Sequence, residues 1–190
     1  MKVPRGFLAK ANRISLGLRH QLSLDAHAPM DVPRLVKHLN LELVPLSEFL
    51  PTHTPQIQTL CDGYKACFSA TLLSTPAGRK ILFNDSPARE IGRHNSDVAH
   101  EISHHLLVHP PSPPFDEDGN RHFSSEIEDE ANCLASFLLI PNEAAWHIVK
   151  SGMRTDPACN VYGVSKEMLE FRLNKSGARI RFARSRVRLG

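Results

Sequence analysis

The stretch VAHEISHHLLVH, residues 98–109, carries the most informative pattern in this chain. Its core, HEISH at residues 100–104, places two histidines four residues apart within a helix predicted over residues 89–109. On a helix, positions i and i+4 project from one face about one turn apart, so both imidazoles can hold one metal ion. Glu101 is rotated by about 100° from His100, which places its carboxylate beside a metal-bound water rather than on the metal. This HExxH arrangement is typical of zinc sites in which the glutamate accepts a proton from water.

A catalytic zinc needs a third protein ligand besides His100 and His104, and one open coordination position. The helix predicted over residues 125–140 offers several carboxylates beside its apolar stripe. Glu128 lies at the buried edge of that stripe and is the preferred third ligand. Glu130 points further from the stripe and is the alternative.

Two further features of this second helix bear on the site. Ser125 and Glu128 have the spacing of a capping box, in which the Glu128 carboxylate would bind the Ser125 amide instead of a metal. Asn132 lies one turn after Glu128 on the same side, so its amide can hydrogen-bond a ligand histidine. The HExxH motif upstream favours the ligand role of Glu128 over the capping role.

The rest of the chain predicts an α+β fold that is mainly helical, with a small antiparallel sheet before the HExxH helix. The sheet contains a hairpin, in which ACFSATLL and RKILFN are joined by STPAG, and a short strand is predicted at residues 41–46. Pro45, Pro51 and Pro55 predict that residues 45–66 are mostly a loop. Further helices are predicted over residues 5–23, 31–40, 142–152, 157–162 and 166–176.

The chain is expected to form one main domain over residues 1–155, followed by two short segments. Residues 156–177 resemble a helix-turn-helix, for which packing on the main domain is favoured over DNA recognition. The second helix of this segment carries two glutamates and no asparagine or glutamine near its start to contact bases. Residues 178–190 form a basic tail. Three interpretations of this tail are open: it is a solvated chain end, it docks on an acidic patch, or it contacts DNA weakly.

Composition excludes several classes of protein. No apolar run approaches the roughly 20 residues of a membrane span. Charged residues interrupt every apolar stretch of the N-terminus, which therefore lacks the apolar region of a secretory signal. The four cysteines form no CxxC pair and are too few for a disulfide scaffold. They are Cys61, Cys67, Cys133 and Cys159. The sequence therefore predicts a cytoplasmic protein that does not contact membranes.

The HExxH stretch followed by EIEDEANCLASFLLIP resembles the ImmA/IrrE family of bacterial metallo-endopeptidases, in which an AHExxH helix precedes an ExxAN helix. The resemblance covers roughly residues 28–142. It implies a zincin-like fold and a Zn²⁺ cofactor held by His100, His104 and Glu128, with Glu101 as the catalytic base. Family members cleave helix-turn-helix repressors, so the resemblance also implies a DNA-binding repressor as the protein substrate and a role in transcription regulation.

The sequence departs from the family pattern in a few places. Ser103 stands where the family has glycine, and the additional His105 is predicted to face away from the ligands. His109 matches a family histidine and has two interpretations: it supports the site from behind a ligand, or it forms a bond near the helix end.

His122 and Tyr64 are the available candidates for stabilising an oxyanion, and neither is favoured over an ordinary surface role.

Three functions are compatible with these patterns. The first is a zinc endopeptidase that acts on a regulatory protein. The second is a DNA-binding regulator with a structural or vestigial metal site, and the third is an interaction protein such as one half of a toxin–antitoxin pair. The complete HExxH motif favours the endopeptidase, because a site without catalysis has no need of Glu101.

Overall fold

The computed structural model describes residues 2–62, 68–87, 90–110 and 125–187. Within these ranges the fold is α+β and mainly helical, as predicted. The helices before the HExxH motif are α1 (Phe7–Gln21), α2 (Val32–His38) and α3 (Leu50–Asp62), with a 3₁₀ turn at Leu46–Phe49. The strands are β1 (Glu42–Pro45), β2 (Ala70–Thr75) and β3 (Gly78–Phe83). The later helices are α4 (Ile91–Leu106), α5 (Ser125–Leu139), α6 (Asn142–Lys150), α7 (Thr155–Tyr162), α8 (Lys166–Lys175) and α9 (Ala178–Val187).

The sheet is mixed rather than purely antiparallel. The predicted hairpin forms, with Thr75 opposite Gly78. Strand β1 pairs with the other side of β3 in parallel, with Leu43 opposite Ile81, which gives the order β1-β3-β2. A parallel pair needs a long crossover connection, and α3 and β2 lie between these two strands. Strand β2 is left at one edge of the sheet, where it packs against α4.

The prediction that residues 45–66 are mostly a loop is wrong, because they contain the 3₁₀ turn and α3. The helix is kinked at His53, whose φ of −138° and ψ of 41° are not helical. Pro55 follows two residues later, near the start of the second helical part, where a missing amide hydrogen costs no helical bond. Pro55 therefore marks where the helix restarts, and Ile57 of this second part is buried.

Helix α5 lies at the centre of the core and packs against α1, α4 and α8. Its C-terminal carbonyls, which have no partner within the helix, accept hydrogen bonds from two buried arginines. Arg19 donates to the carbonyls of Leu138 and Leu139, and Arg172 donates to that of Ile140. Burial lowers the pKa of both guanidinium groups to about 10, so both remain charged at neutral pH and face the negative end of the helix dipole.

The C-terminal helices pack on this core. Between α7 and α8, Gly163 adopts a left-handed conformation, with φ +57°, and its carbonyl accepts a hydrogen bond from Asn95 of α4 at 2.9 Å. Arg172 of α8 stacks its guanidinium 3.6 Å from the centre of the Phe137 ring on α5. The helix-turn-helix-like segment therefore contacts both α4, which carries the HExxH motif, and α5.

Most of the basic tail forms a helix, since α9 continues to Val187. It packs against α6 at Trp146. The ring centre of Phe182 lies 6.3 Å from that of Trp146, and the guanidinium carbon of Arg181 lies 4.9 Å from the Trp146 ring centre. Arg179 pairs with Glu170 of α8 at 2.8 Å. In the described part of the chain, no helix has the length and apolar character that crossing a membrane requires.

Candidate metal centre

Helices α4 and α5 pack side by side and bring three predicted ligands together. The Nε2 atoms of His100 and His104 lie 3.1 Å and 3.6 Å from the two carboxylate oxygens of Glu128, and 2.9 Å from each other. Among the described residues, these three side chains form the group of histidine, cysteine, aspartate and glutamate residues that could hold a metal ion. Glu128 therefore faces the histidines, as the ligand interpretation of the sequence required.

The donor atoms fit a small divalent cation. Around a tetrahedral zinc with ligands at about 2.0–2.1 Å, neighbouring donor atoms are separated by about 3.3 Å. The two histidine nitrogens are 2.9 Å apart, and they lie 3.1 Å and 3.6 Å from different oxygens of Glu128, so these distances lie on both sides of that value. Two imidazole lone pairs at 2.9 Å repel each other unless a proton or a cation lies between them. Two imidazoles and one half-buried carboxylate are thus compatible with zinc.

Both histidines present the same ring nitrogen to the site. The Nδ1 atom of His100 lies 3.0 Å from the Asn132 amide oxygen, which can only accept, so Nδ1 carries a proton and the neutral form of the ring has its lone pair on Nε2. Asn132 occupies the position that the sequence predicted. Ser103, at the position where the family has glycine, is buried and donates its hydroxyl to the Ala99 carbonyl at 2.8 Å.

The other polar residues of the motif lie outside the ligand group. The Nδ1 atom of His109 is 2.9 Å from that of His104, and its Nε2 atom is 3.4 Å from Glu130. Glu130, the alternative third ligand, therefore contacts His109 rather than the ligand group. His105 points towards the hairpin, where its Nδ1 atom lies 3.0 Å from the Arg79 guanidinium.

Glu101 lies next to the ligands without joining them. Its Oε2 atom accepts a hydrogen bond from the backbone N–H of Leu72 in the edge strand β2, at 2.7 Å. Burial raises the pKa of Glu101, against the opposing effects of His100 and His104. No sequence pattern predicts the role of Leu72, because its backbone amide is not marked by any side chain.

The pKa values of His100 and Glu128 depend on the contact between these two side chains. Hydrogen bonds from His100 and His104 hold the pKa of Glu128 well below its usual range. Burial by itself lowers the pKa of His100, but the hydrogen bond to Glu128 and the charges of Glu101 and Glu128 outweigh burial and raise it. Before a metal binds, the site therefore favours a proton on His100 and a charged Glu128.

An open cleft of about 670 Å³ lies beside the ligands. His100, Glu101 and Glu128 line its floor, and Ser69 lies at the end near the hairpin. Helix α8 and the residue before it form one wall, with Ser165, Glu167, Met168 and Phe171. The helix-turn-helix-like segment thus contributes directly to the site. Both candidates for stabilising an oxyanion, His122 and Tyr64, lie outside the described residues, as does Cys67.

The sequence model of the peptidase M78 family, described as the IrrE N-terminal-like domain, matches residues 65–174. The chain belongs to this family. The match confirms the resemblance to ImmA/IrrE peptidases. It begins at residue 65, later than the expected start near residue 28, and it extends further towards the C-terminus, where it includes α7 and almost all of α8. The α8 wall of the cleft is therefore part of the peptidase M78 domain. A search of curated proteins found no match to this chain.

Proposed function

We propose that this member of the peptidase M78 family is a zinc-dependent endopeptidase that hydrolyses a peptide bond in a regulatory protein. One observation carries the proposal: His100, His104 and Glu128 each bring a possible ligand atom within 4.8 Å of the others, and Glu101, next to His100 in the motif, is not in this group. A structural zinc site has four protein ligands, whereas three ligands leave a position for water and substrate.

Zinc at this site would supply Lewis acidity to the scissile carbonyl and lower the pKa of the attacking water. Glu101 accepts the water proton as the oxygen–carbon bond forms, and it returns that proton to the amine as the carbon–nitrogen bond breaks. The Leu72 amide holds Oε2, so Oε1 is the atom that takes the proton. Burial raises the pKa of Glu101, which makes its carboxylate a better acceptor for the water proton.

The substrate we favour is a helix-turn-helix repressor, and cleavage would then regulate transcription in the cytoplasm. This substrate class rests on the resemblance to ImmA/IrrE peptidases. A cleft of about 670 Å³ lies within the range of well-formed binding pockets and has room for several side chains of a peptide. The position of α8 supports a role in the site over DNA recognition, because Glu167, Met168 and Phe171 line the cleft.

Replacement of Glu101 by glutamine tests the mechanism, because glutamine keeps the shape of glutamate and accepts no proton. We expect Glu101→Gln to bind about one zinc per chain and to cleave repressors about 10²–10⁴ times more slowly than the wild type. Zinc would be measured by plasma mass spectrometry, and fragments of co-incubated repressors from the same genome by protein mass spectrometry. Cleavage at the wild-type rate in Glu101→Gln would refute the mechanism.

Two further variants separate metal binding from catalysis in the same experiment. Glu128→Ala should lose the zinc, because it removes a ligand. Glu126→Ala is the matched control on the same helix and should keep about one zinc per chain, since Glu126 is exposed and lies outside the ligand group. Zinc bound equally by all three variants would contradict the proposed ligand set.

A further inference from the structure

His109 lies directly behind the proposed ligand His104. The Nδ1 atoms of the two rings are 2.9 Å apart, and the Nε2 atom of His109 is 3.4 Å from Oε2 of Glu130. The His109 side chain is 8% exposed, so protein atoms rather than water surround its polar atoms. Three polar side chains therefore form a row that begins at the ligand group and ends on a carboxylate.

The direction of the protons in this row follows from its two ends. The Nε2 atom of His104 faces Glu128 and His100, so it must keep its lone pair to bind a cation. The Nδ1 atom of His104 then carries the proton and donates it to Nδ1 of His109. His109 in turn holds its own proton on Nε2, where Glu130 accepts it. Each ring thus fixes the tautomer of the next.

The turn at the end of α4 places His109 beside His104. Helix α4 ends in a Schellman motif, in which the amide of Val108 bonds the His105 carbonyl and the amide of His109 bonds the His104 carbonyl. Val108 adopts φ +55°, a left-handed conformation that β-branched residues rarely accept. Backbone strain of this kind persists where the surrounding contacts hold it in place, and here it returns His109 towards His104.

We propose that His109 and Glu130 are positioning residues for His104. They hold its imidazole with the proton on Nδ1 and the Nε2 lone pair directed to the metal, as Asn132 does for His100. This inference rests on the proposed zinc site, and the two residues act through His104 without contacting substrate. Groups that orient a ligand histidine commonly change metal affinity about 10–100-fold when they are removed.

The test measures the zinc dissociation constant by competition with a chromogenic chelator, using zinc alone as the probe. We expect His109→Ala and Glu130→Gln each to weaken zinc binding by about 10–100-fold. The double variant should lose little more than His109→Ala does, because both residues act in one row. His109→Asn, which retains a polar side chain, should recover part of the affinity.

His105→Ala is the matched control. His105 neighbours His104 on the same helix but contacts Arg79, so its removal should leave zinc affinity unchanged. Melting temperatures in the presence of a chelator show whether the variants fold. Nitrogen-15 shifts of the His104 ring in the zinc-free protein report the tautomer, which a purely structural role of His109 would not change.

The outcomes separate this inference from the proposed function. A wild type that binds zinc tightly beside a folded His109→Ala with the same affinity and tautomer would overturn the positioning role and leave the peptidase proposal intact. A wild type that binds no zinc would overturn both. Weaker binding in His109→Ala with unchanged binding in Glu130→Gln would remove Glu130 from the proposal.

Discussion

Val108 shows at the scale of one residue how this structure accepts local strain. Its side chain is 75% exposed, so it contributes little to the core, yet its backbone adopts the left-handed conformation at the end of α4. A left-handed backbone costs a non-glycine residue about 1–2 kcal/mol. The same position at the end of α2 is held by Asn40, a residue type that tolerates this conformation.

We therefore expect Val108→Gly to raise the free energy of unfolding by about 0.5–1 kcal/mol, since relief of strain exceeds the entropy cost of glycine. Urea denaturation in the presence of a chelator measures this change. Asn40→Gly is the matched control and should alter stability by only a few tenths of a kcal/mol. A clear loss of stability in Val108→Gly would show that the side chain makes a contribution that its exposure conceals.

The raised pKa of His100 predicts how zinc affinity depends on pH. A protonated imidazole has no lone pair for a metal, so protons compete with zinc until the pH exceeds the pKa of this histidine. Zinc affinity should fall with acidification from above the usual histidine value of about 6.5 and should level off at higher pH. Dissociation constants measured between about pH 5.5 and 8.5 give the profile.

Glu101→Gln provides the control for this profile. The charge of Glu101 helps to raise the pKa of His100, so its removal should move the fall in affinity to lower pH. Two results would contradict this effect of Glu101 on the pKa of His100: a zinc affinity that does not depend on pH, or a fall in affinity that moves to higher pH in Glu101→Gln.

At the scale of elements, the cleft depends on a close contact between α4 and the turn that joins α7 to α8. A Cβ atom at Gly92 would lie 2.5 Å from the backbone carbon of Val164, nearer than real Cβ atoms approach. The neighbouring contact from Asn95 to the Gly163 carbonyl depends on the same proximity. Glycine at position 92 thus allows α8 to form a wall of the cleft.

We expect Gly92→Ala to destabilise the protein by about 1–3 kcal/mol, because the atom it contacts is rigid backbone. Gly17→Ala is the matched control within α1, where an added Cβ meets no atom within 4 Å, and it should stabilise by about 0.5–1 kcal/mol. Urea denaturation of both variants measures the difference. A Gly92→Ala variant as stable as the wild type would show that the α7–α8 unit can move without cost.

At the scale of the whole molecule, a bound metal would join two helices that are separated in sequence. His100 and His104 come from α4, whereas Glu128 comes from the central helix α5. Because the unfolded chain does not hold these three groups together, metal binding favours the folded state. Stability is therefore a readout of the site that needs no substrate.

Zinc at about 100 times its dissociation constant should stabilise the protein by about 2.7 kcal/mol. For a chain of this size, that raises the melting temperature by about 5–10 °C, and a chelator should reverse the change. Thermal unfolding followed by circular dichroism measures it. The shift should persist in Glu101→Gln and disappear in Glu128→Ala, and a zinc effect of equal size in Glu128→Ala would argue against this ligand set.

Local patterns in the sequence were sufficient for much of this molecule. The i,i+4 spacing of His100 and His104 and the turn residues of the hairpin act over a few residues, so they predict their elements without knowledge of the rest. The apolar stripe of α5 predicted which of its carboxylates would face α4, and the structure places Glu128 there. Patterns of this kind succeed because helical and strand periodicity directly determine which side chains share a face.

Other features were decided only by packing. The parallel pairing of β1, the contact between the Leu72 amide and Glu101, and the α8 wall each join residues far apart in sequence. The row from His104 to Glu130 depends on how α4 ends and how α5 packs against it. From the sequence, His109 had two interpretations and Glu130 was the alternative third ligand. The sequence determined the helix, the motif and the chemical groups, because these depend on neighbouring residues. Their convergence on one cleft was decided by the tertiary structure, because contacts between distant segments depend on how whole elements pack.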